Sequence, residues 1–334
     1  MENDKSKMRR SAYLLGLSSA VALAVVIYFM LQAPGKIDNL RLGAYDGDVG
    51  ALEWIAKERG FFDKVGLNVE MKPYPSGNAA VDAMRKGDVD VATAADLVVA
   101  KRSFKEKDLR VLADICRYWN KGLVGRKDSG ISTPADLRGK RIGVSATSSA
   151  EHNLVVFLAL QGLTTEDVTL VDLPPKGLVE EISAGTIDAA ITWQPHVAAI
   201  VSQLGDNAVL IMDGGTEANL LILTLKDQLP IQTEALKKLM KGLVMADDWV
   251  RENPQEAKTY LISRFKLDRD YIEALWPRMQ LSVSLPQEIL GAMDSEARWL
   301  AKSVNVEAVP NFAETIYTAP LASVRPSAVS VFTK

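Results

Sequence analysis

The chain has 334 residues, 39 basic against 42 acidic side chains, a net charge of −3 and 48% hydrophobic residues. That length allows two domains. The composition excludes a disordered chain and a basic nucleic-acid-binding surface. One cysteine, Cys116, and two histidines, His152 and His196, argue against a disulfide framework and a Cys- or His-built metal site, so neither a metal nor a cofactor is expected.

Lys5, Lys7, Arg9 and Arg10 precede a charge-free run from Ser11 to Leu31. Such a run, about 20 residues long, suffices to span a bilayer as a helix. The basic flank places the N-terminus in the cytoplasm and the body on the extracytoplasmic (periplasmic) side. An uncleaved signal anchor over Ala12 to Leu31 is favoured over a signal peptide cut near Ala33. Residues 1–38 are thus read as a cytoplasmic tip, a membrane-spanning or signal segment, and a linker.

The body alternates strands and helices. Strands are expected at Leu40–Tyr45, Gly66–Lys72, Val89–Thr93 and Leu109–Ile115, with helices at Leu52–Phe62, Ala80–Lys86 and Leu97–Arg102. A second lobe begins near Leu123, with a short capped helix in Ser132–Lys140. Strands Arg141–Val144, Val168–Leu173 and Val209–Met212 and helices Ser149–Leu160 and Pro175–Ala184 follow. Gly185 stops a helix before a short strand that exits through Thr192-Trp193-Gln194-Pro195, and a further helix runs to Leu204. Leu220–Leu225 reads as the return to the first lobe. Helices are then expected at Thr233–Glu252, Gln255–Phe265, Asp270–Met279 and Gln287–Ser303, and the tail after Tyr317 as loose or laid across the surface. This alternation implies a mainly parallel sheet covered by helices.

Shifted by about 100 residues, the chain resembles itself. Arg41-Leu42-Gly43 meets Arg141-Ile142-Gly143, and Pro75-Ser76-Gly77 meets Pro175-Lys176-Gly177. With a slip of two, Gly87-Asp88-Val89-Asp90-Val91-Ala92 meets Gly185-Thr186-Ile187-Asp188-Ala189-Ala190. Two lobes of similar build follow: 39–121 with 220–334, and 122–219.

Ligands of open α/β sheets bind at the carboxyl ends of strands. That singles out Thr192, Trp193 and Gln194 in one lobe and Asp96 at the matching exit in the other. Ser145, Thr147 and Ser148 sit between a strand and a helix, where hydroxyls and free N–H groups hold anions or simply cap the helix. Trp193 and Tyr45 could wall a small ligand or be core; Tyr118 and Trp119 read as core. Asp46, Asp48 and Asp96 could bind an amine or be ordinary turn residues. No nucleophile elbow, zinc-protease helix motif or phosphate loop is present.

The stretch Gly185 to Pro195 resembles the G-x-hydrophobic-D-A-x-x-x-W-x-P signature of substrate-binding proteins of ABC importers for nitrate, sulfonates, taurine and thiamine-precursor pyrimidines, the NMT1/SsuA-like group. Ala51–Phe62 with Gly66-Leu67-Asn68-Val69, and Leu137–Val144, are similar to two further motifs of that group. The resemblance implies an α/β type II periplasmic-binding-protein fold, with two lobes joined by two crossover strands and a ligand cleft between them. It implies ligand contacts from Asp46 to Asp48, Ser76, Gly77 and Asn78, Ala94 to Asp96, Ser145 to Ser149 and Thr192 to Gln194. The expected function is extracytoplasmic capture of a small polar organic molecule or anion and its delivery to an ABC permease, without catalysis. An enzyme of pyrimidine- or menaquinone-precursor synthesis on the same fold, or a membrane-tethered sensor, are the alternatives. Acids in one lobe and hydroxyls in the other point to a zwitterion or a neutral polar ring.

Overall fold

The structure is a computed structural model that describes residues 38–304 and 308–332. The expected membrane-spanning or signal segment lies outside the described residues. Among the described residues no helix is long and apolar enough to cross a membrane.

Each half of the sequence repeat builds a sheet. The first takes β1 (Asp38–Tyr45), β2 (Leu67–Tyr74), β3 (Val91–Ala95), β4 (Leu109–Tyr118), β10 (Ala218–Leu225) and β11 (Met279–Ser284), in the order β11-β4-β10-β3-β1-β2. The second takes β5 (Lys121–Arg126), β6 (Arg141–Val144), β7 (Thr169–Asp172), β8 (Ala189–Trp193) and β9 (Ala208–Gly214), in the order β7-β6-β8-β5-β9. Each sheet receives, beside its β3 or β8 strand, an antiparallel strand that arrives from the other sheet: β10 in the first, β5 in the second.

One ion pair, used twice, explains why the repeat is legible. Arg41 donates from its amide and Nε to Asp90 Oδ2 (2.8 and 3.1 Å) and from its guanidinium to Gly87 O. Arg141 donates from its amide and Nε to Asp188 Oδ2 (2.9 and 3.1 Å) and from its guanidinium to Gly185 O. Gly87 and Gly185 both sit at φ 77°, a left-handed conformation that glycine adopts at no steric cost. Both clamps set the same parallel register, Leu42 beside Val91 and Ile142 beside Ala189.

Period-two burial then fills the layers. In the second sheet Leu123, Ala189 and Ile191 face one apolar cluster, and Val124 and Ala190 face the other. The first sheet's core also gathers the C-terminal helices α8 (Thr233–Glu252) and α11 (Glu288–Val304).

Three boundaries differ from the sequence expectation. The helix expected over Leu52–Phe62 is two, α1 (Ala51–Glu58) and α2 (Phe61–Lys64), because Gly60 takes φ 68° between them. The helix expected to reach Met279 ends at Leu275. Residues 279–284 form edge strand β11, in which Met279, Leu281 and Val283 are buried in strict alternation. Lys121–Arg126 is a full strand. The tail follows the second of its two expected readings, laid across the surface and held there: Leu321 is fully buried, and Leu285 N–H donates to Ala328 O at 2.8 Å.

Candidate functional site

A cavity of about 390 Å³ opens between the two sheets. Its position follows from strand direction. β3 and β8 both end at it, and because β10 and β5 run antiparallel to them, both incoming strands begin there. Ala95 lies beside Leu220, and Trp193 beside Lys121.

Tyr45 closes β1 and walls the cavity. Its N–H donates to Thr93 Oγ1 at 2.8 Å, and its carbonyl accepts from Trp54 Nε1 at 3.0 Å. Gly47 makes room for the ring, since a Cβ there would lie 2.4 Å from Tyr45 Cε1. Burial, with Asp48 and Asp46 nearby, pushes the Tyr45 phenol up to about 12. Asp48 also lines the cavity and accepts from the Tyr271 hydroxyl and from Val49 N–H; burial raises its carboxyl above the usual range. Ser76 caps helix α3 (Gly77–Arg85) by accepting from Ala79 N–H, and Ser76, Gly77 and Asn78 form part of the wall.

The opposite wall carries Thr147, Ser148 and Trp193. Thr147 holds φ 54°, a conformation costly for a β-branched residue. Its hydroxyl accepts from Lys101 Nζ across the cleft at 3.3 Å. Trp193 is half-buried and meets His196 edge-on at 6.3 Å.

Of the residues singled out from sequence, Tyr45, Asp48, Ser76, Gly77, Asn78, Thr147, Ser148 and Trp193 therefore converge on one cavity. Five others do not line it. Asp96 is 1% exposed, and its Oδ2 accepts from the Asn219 amide and Nδ2 at 3.0 and 2.6 Å; it ties helix α4 (Asp96–Arg102) to β10. Thr192 is fully buried, one residue before Trp193, where strand alternation turns it to the other face. Ser145 Oγ donates to Leu173 O. Asp46 pairs with Arg264 at 3.3 Å and, with Gln194, borders an adjoining cavity of about 420 Å³. Gln194 Oε1 caps helix α7 (His196–Leu204) through Ala198 N–H.

The Ser145–Ser149 loop is less open to an anion than its composition implies. Ala146 N–H donates to Asp172 Oδ1 at 2.9 Å, and Thr147 N–H donates to Glu151 Oε2 at 2.6 Å. Ser148 Oγ donates to Ser145 O and accepts from Glu151 N–H, closing helix α5 (Ser149–Leu160). Conversely, Tyr118, Asn120, Lys101 and Lys121 line the cavity, although sequence reasoning set Tyr118 in the core and passed over the others. Tyr118 satisfies both readings: it is 8% exposed and still borders the cavity.

The chain is 25% identical over 237 residues to a binding protein of Brucella abortus, covering 66% of this chain and 69% of that one. It is 27% identical over 179 residues to the taurine-binding periplasmic protein of Escherichia coli, covering 53% and 54%. The alkanesulfonate-binding protein SsuA of Xanthomonas axonopodis pv. citri, solved with MOPS bound, superimposes with a TM-score of 0.69 at 22% identity over 85% of this chain and 99% of that one. That likeness establishes the α/β periplasmic-binding-protein fold. The NMT1/THI5-like family model matches residues 51–257, more than half of the sequence, and the chain belongs to that family.

Proposed function

We propose that the chain is an extracytoplasmic solute-binding protein that captures a small polar organic molecule or anion between its two sheets and delivers it to an ABC permease. The carrying observation is the cavity itself, walled from both sides by residues at strand exits: Tyr45 and the Ser76–Asn78 turn from one, Thr147, Ser148 and Trp193 from the other. A taurine-binding relative supports the ligand class. On this reading 39–121 with 220–334 and 122–219 move as lobes, and the N-terminal segment tethers the body to the membrane.

The connections suit a hinge. The chain crosses between sheets only over Trp119–Asn120 and Gly215–Glu217 among the described residues, and Gly214 and Gly215 hold φ 95° and 69°. A ligand touching both walls favours the closed state by its extra contacts there. Isothermal titration with taurine, alkanesulfonates, nitrate and aminopyrimidines, paired with solution scattering, tests the reading. Binding with a smaller radius of gyration is expected; no binding to any of them, with unchanged scattering, refutes it.

A further inference from the structure

The two incoming strands make the same approach to the cavity with different residues. β10 brings Leu220 beside Ala95, and β5 brings Lys121 beside Trp193. The same position, beside the last residue of the exiting strand, is filled by leucine in one sheet, so the architecture does not require a lysine in the other. Yet Lys121 is 2% exposed, lines the cavity, and its Nζ has no hydrogen-bond partner. The ammonium lies 5.1 Å from the centroid of the Tyr118 ring.

Asp96 and Glu296 act on that charge at longer range, but no neighbour accepts a hydrogen bond from it. Asp96 already accepts from the Asn219 amide and Nδ2 on one oxygen and from Leu97 N–H on the other. Glu296 of α11 is 5% exposed, and burial raises its carboxyl well above the usual range. His152 of α5 is held low by burial and by Lys121. Burial lowers Lys121 itself, while Asp96 and Glu296 oppose that shift. Lys101, the other cavity-lining cation, is exposed at the rim and shared with Thr147. A buried ammonium without a hydrogen-bonded acceptor is costly. An acidic oxygen entering the cavity supplies the missing charge-assisted bond. The Ser145–Ser149 loop is less available to it, because Asp172 and Glu151 already hold two of its N–H groups.

We propose that Lys121 is the specificity-determining residue of the cleft, its buried ammonium receiving the single acidic group of a small organic anion whose apolar body lies against Tyr118 and Trp193. This rests on the solute-capture reading and deepens it: the acidic end seats at the start of β5, where the chain enters the second sheet.

Calorimetry of the full chain with two matched pairs tests it: butane-1-sulfonate against butyl methyl sulfone, and benzoate against benzamide. The wild type is expected to prefer the acid of a pair. Lys121→Met should weaken that acid on the order of a hundredfold, leave the neutral partner unchanged, and melt no lower than the wild type, because a buried charge is gone. Lys121→Arg, which keeps the charge, should retain acid binding better than Lys121→Met. Should Lys121→Met not fold, the wild type carries the test: acid affinity falls as pH rises through the amine's lowered titration, and affinity for the neutral partner stays flat. Equal acid binding by wild type and Lys121→Met, or a flat acid profile, overturns the role of Lys121. Neutral compounds binding as well as acids overturns it too and leaves solute capture standing. No binding by any member of either pair overturns the role of Lys121, while solute capture stands or falls on the titration with taurine, alkanesulfonates, nitrate and aminopyrimidines.

Discussion

His152 makes the stability of this protein depend on pH in a window set by its burial. It lies in the first turn of α5, is 7% exposed, and its ring packs on Trp299 at 5.2 Å with a tilt of 46°. Burial first, then the nearby Lys121 charge, lowers its titration from 6.5 to about 4. The unfolded chain therefore takes up this proton at a higher pH than the folded one. The neutral ring's contribution is fully present above 6.5, declines as pH falls, and is exhausted below about 4. At 1.36 kcal/mol per pH unit the loss between pH 7 and pH 4 is about 3 kcal/mol. The carboxyls of half-buried Asp48 and of buried Asp96 and Glu296 are raised instead and act with the opposite sign, so the comparison needs a partner protein that shares them. Urea unfolding of the wild type and of His152→Gln at pH 7, 6, 5 and 4 supplies it. The stability difference should move by about 3 kcal/mol in favour of the variant across that range. A difference constant to within roughly 0.5 kcal/mol, the usual additivity error, would refute the reasoning.

Three substitutions probe the cavity walls. Thr147→Gly releases a β-branched residue from φ 54°. That relief of about 1–2 kcal/mol offsets glycine's entropic cost, so chemical denaturation should find stability unchanged or higher while ligand affinity drops; a loss of more than about 1 kcal/mol contradicts it. Gly77→Ala would place a Cβ 2.6 Å from Ala94 Cα and 3.3 Å from Thr93 O, backbone atoms that cannot swing aside. A destabilisation of about 1–3 kcal/mol is expected, and an unchanged melting temperature would show that α3 shifts freely. Trp193→Ala should lower ligand affinity by at least about tenfold while costing less stability than the roughly 3–5 kcal/mol of a fully buried tryptophan. Parallel losses in titration and melting would make it a core residue.

The repeat was readable because its key contacts are chemically specific and recur at nearly the same spacing in each half. Arg41 with Gly87 and Asp90, and Arg141 with Gly185 and Asp188, need a cation, a left-handed glycine and an acid at matched places. Few residue types meet all three demands, so the clamp stands out as a pattern in the letters. Strand β11 was missed for the converse reason. Its six residues follow Trp276-Pro277-Arg278 and directly extend a helical stretch, and only pairing with β4 commits them to alternation.

The cavity divides along the same line. Residues at strand exits, Tyr45 and Trp193 among them, could be placed because direction in an α/β sheet sets which end faces a ligand. Which way each neighbour points could not. Thr192 turns away one residue before Trp193, Asp96 is drawn inward by Asn219, and Glu151 occupies the N–H of Thr147. Lys121 is the sharpest case. By itself Asn120-Lys121-Gly122 reads as an ordinary polar turn. Pairing with Trp193 on one side and Gly214 on the other makes it the first rung of a strand and carries its ammonium out of water. Both partners lie more than 70 residues away along the chain. Sequence alone determined the two-sheet α/β plan, since local periodicity and a twice-repeated pattern of arginine, glycine and aspartate specify it. The tertiary structure alone decided which charge faces the cavity, because burial is a property of what packs around a side chain and not of the side chain itself.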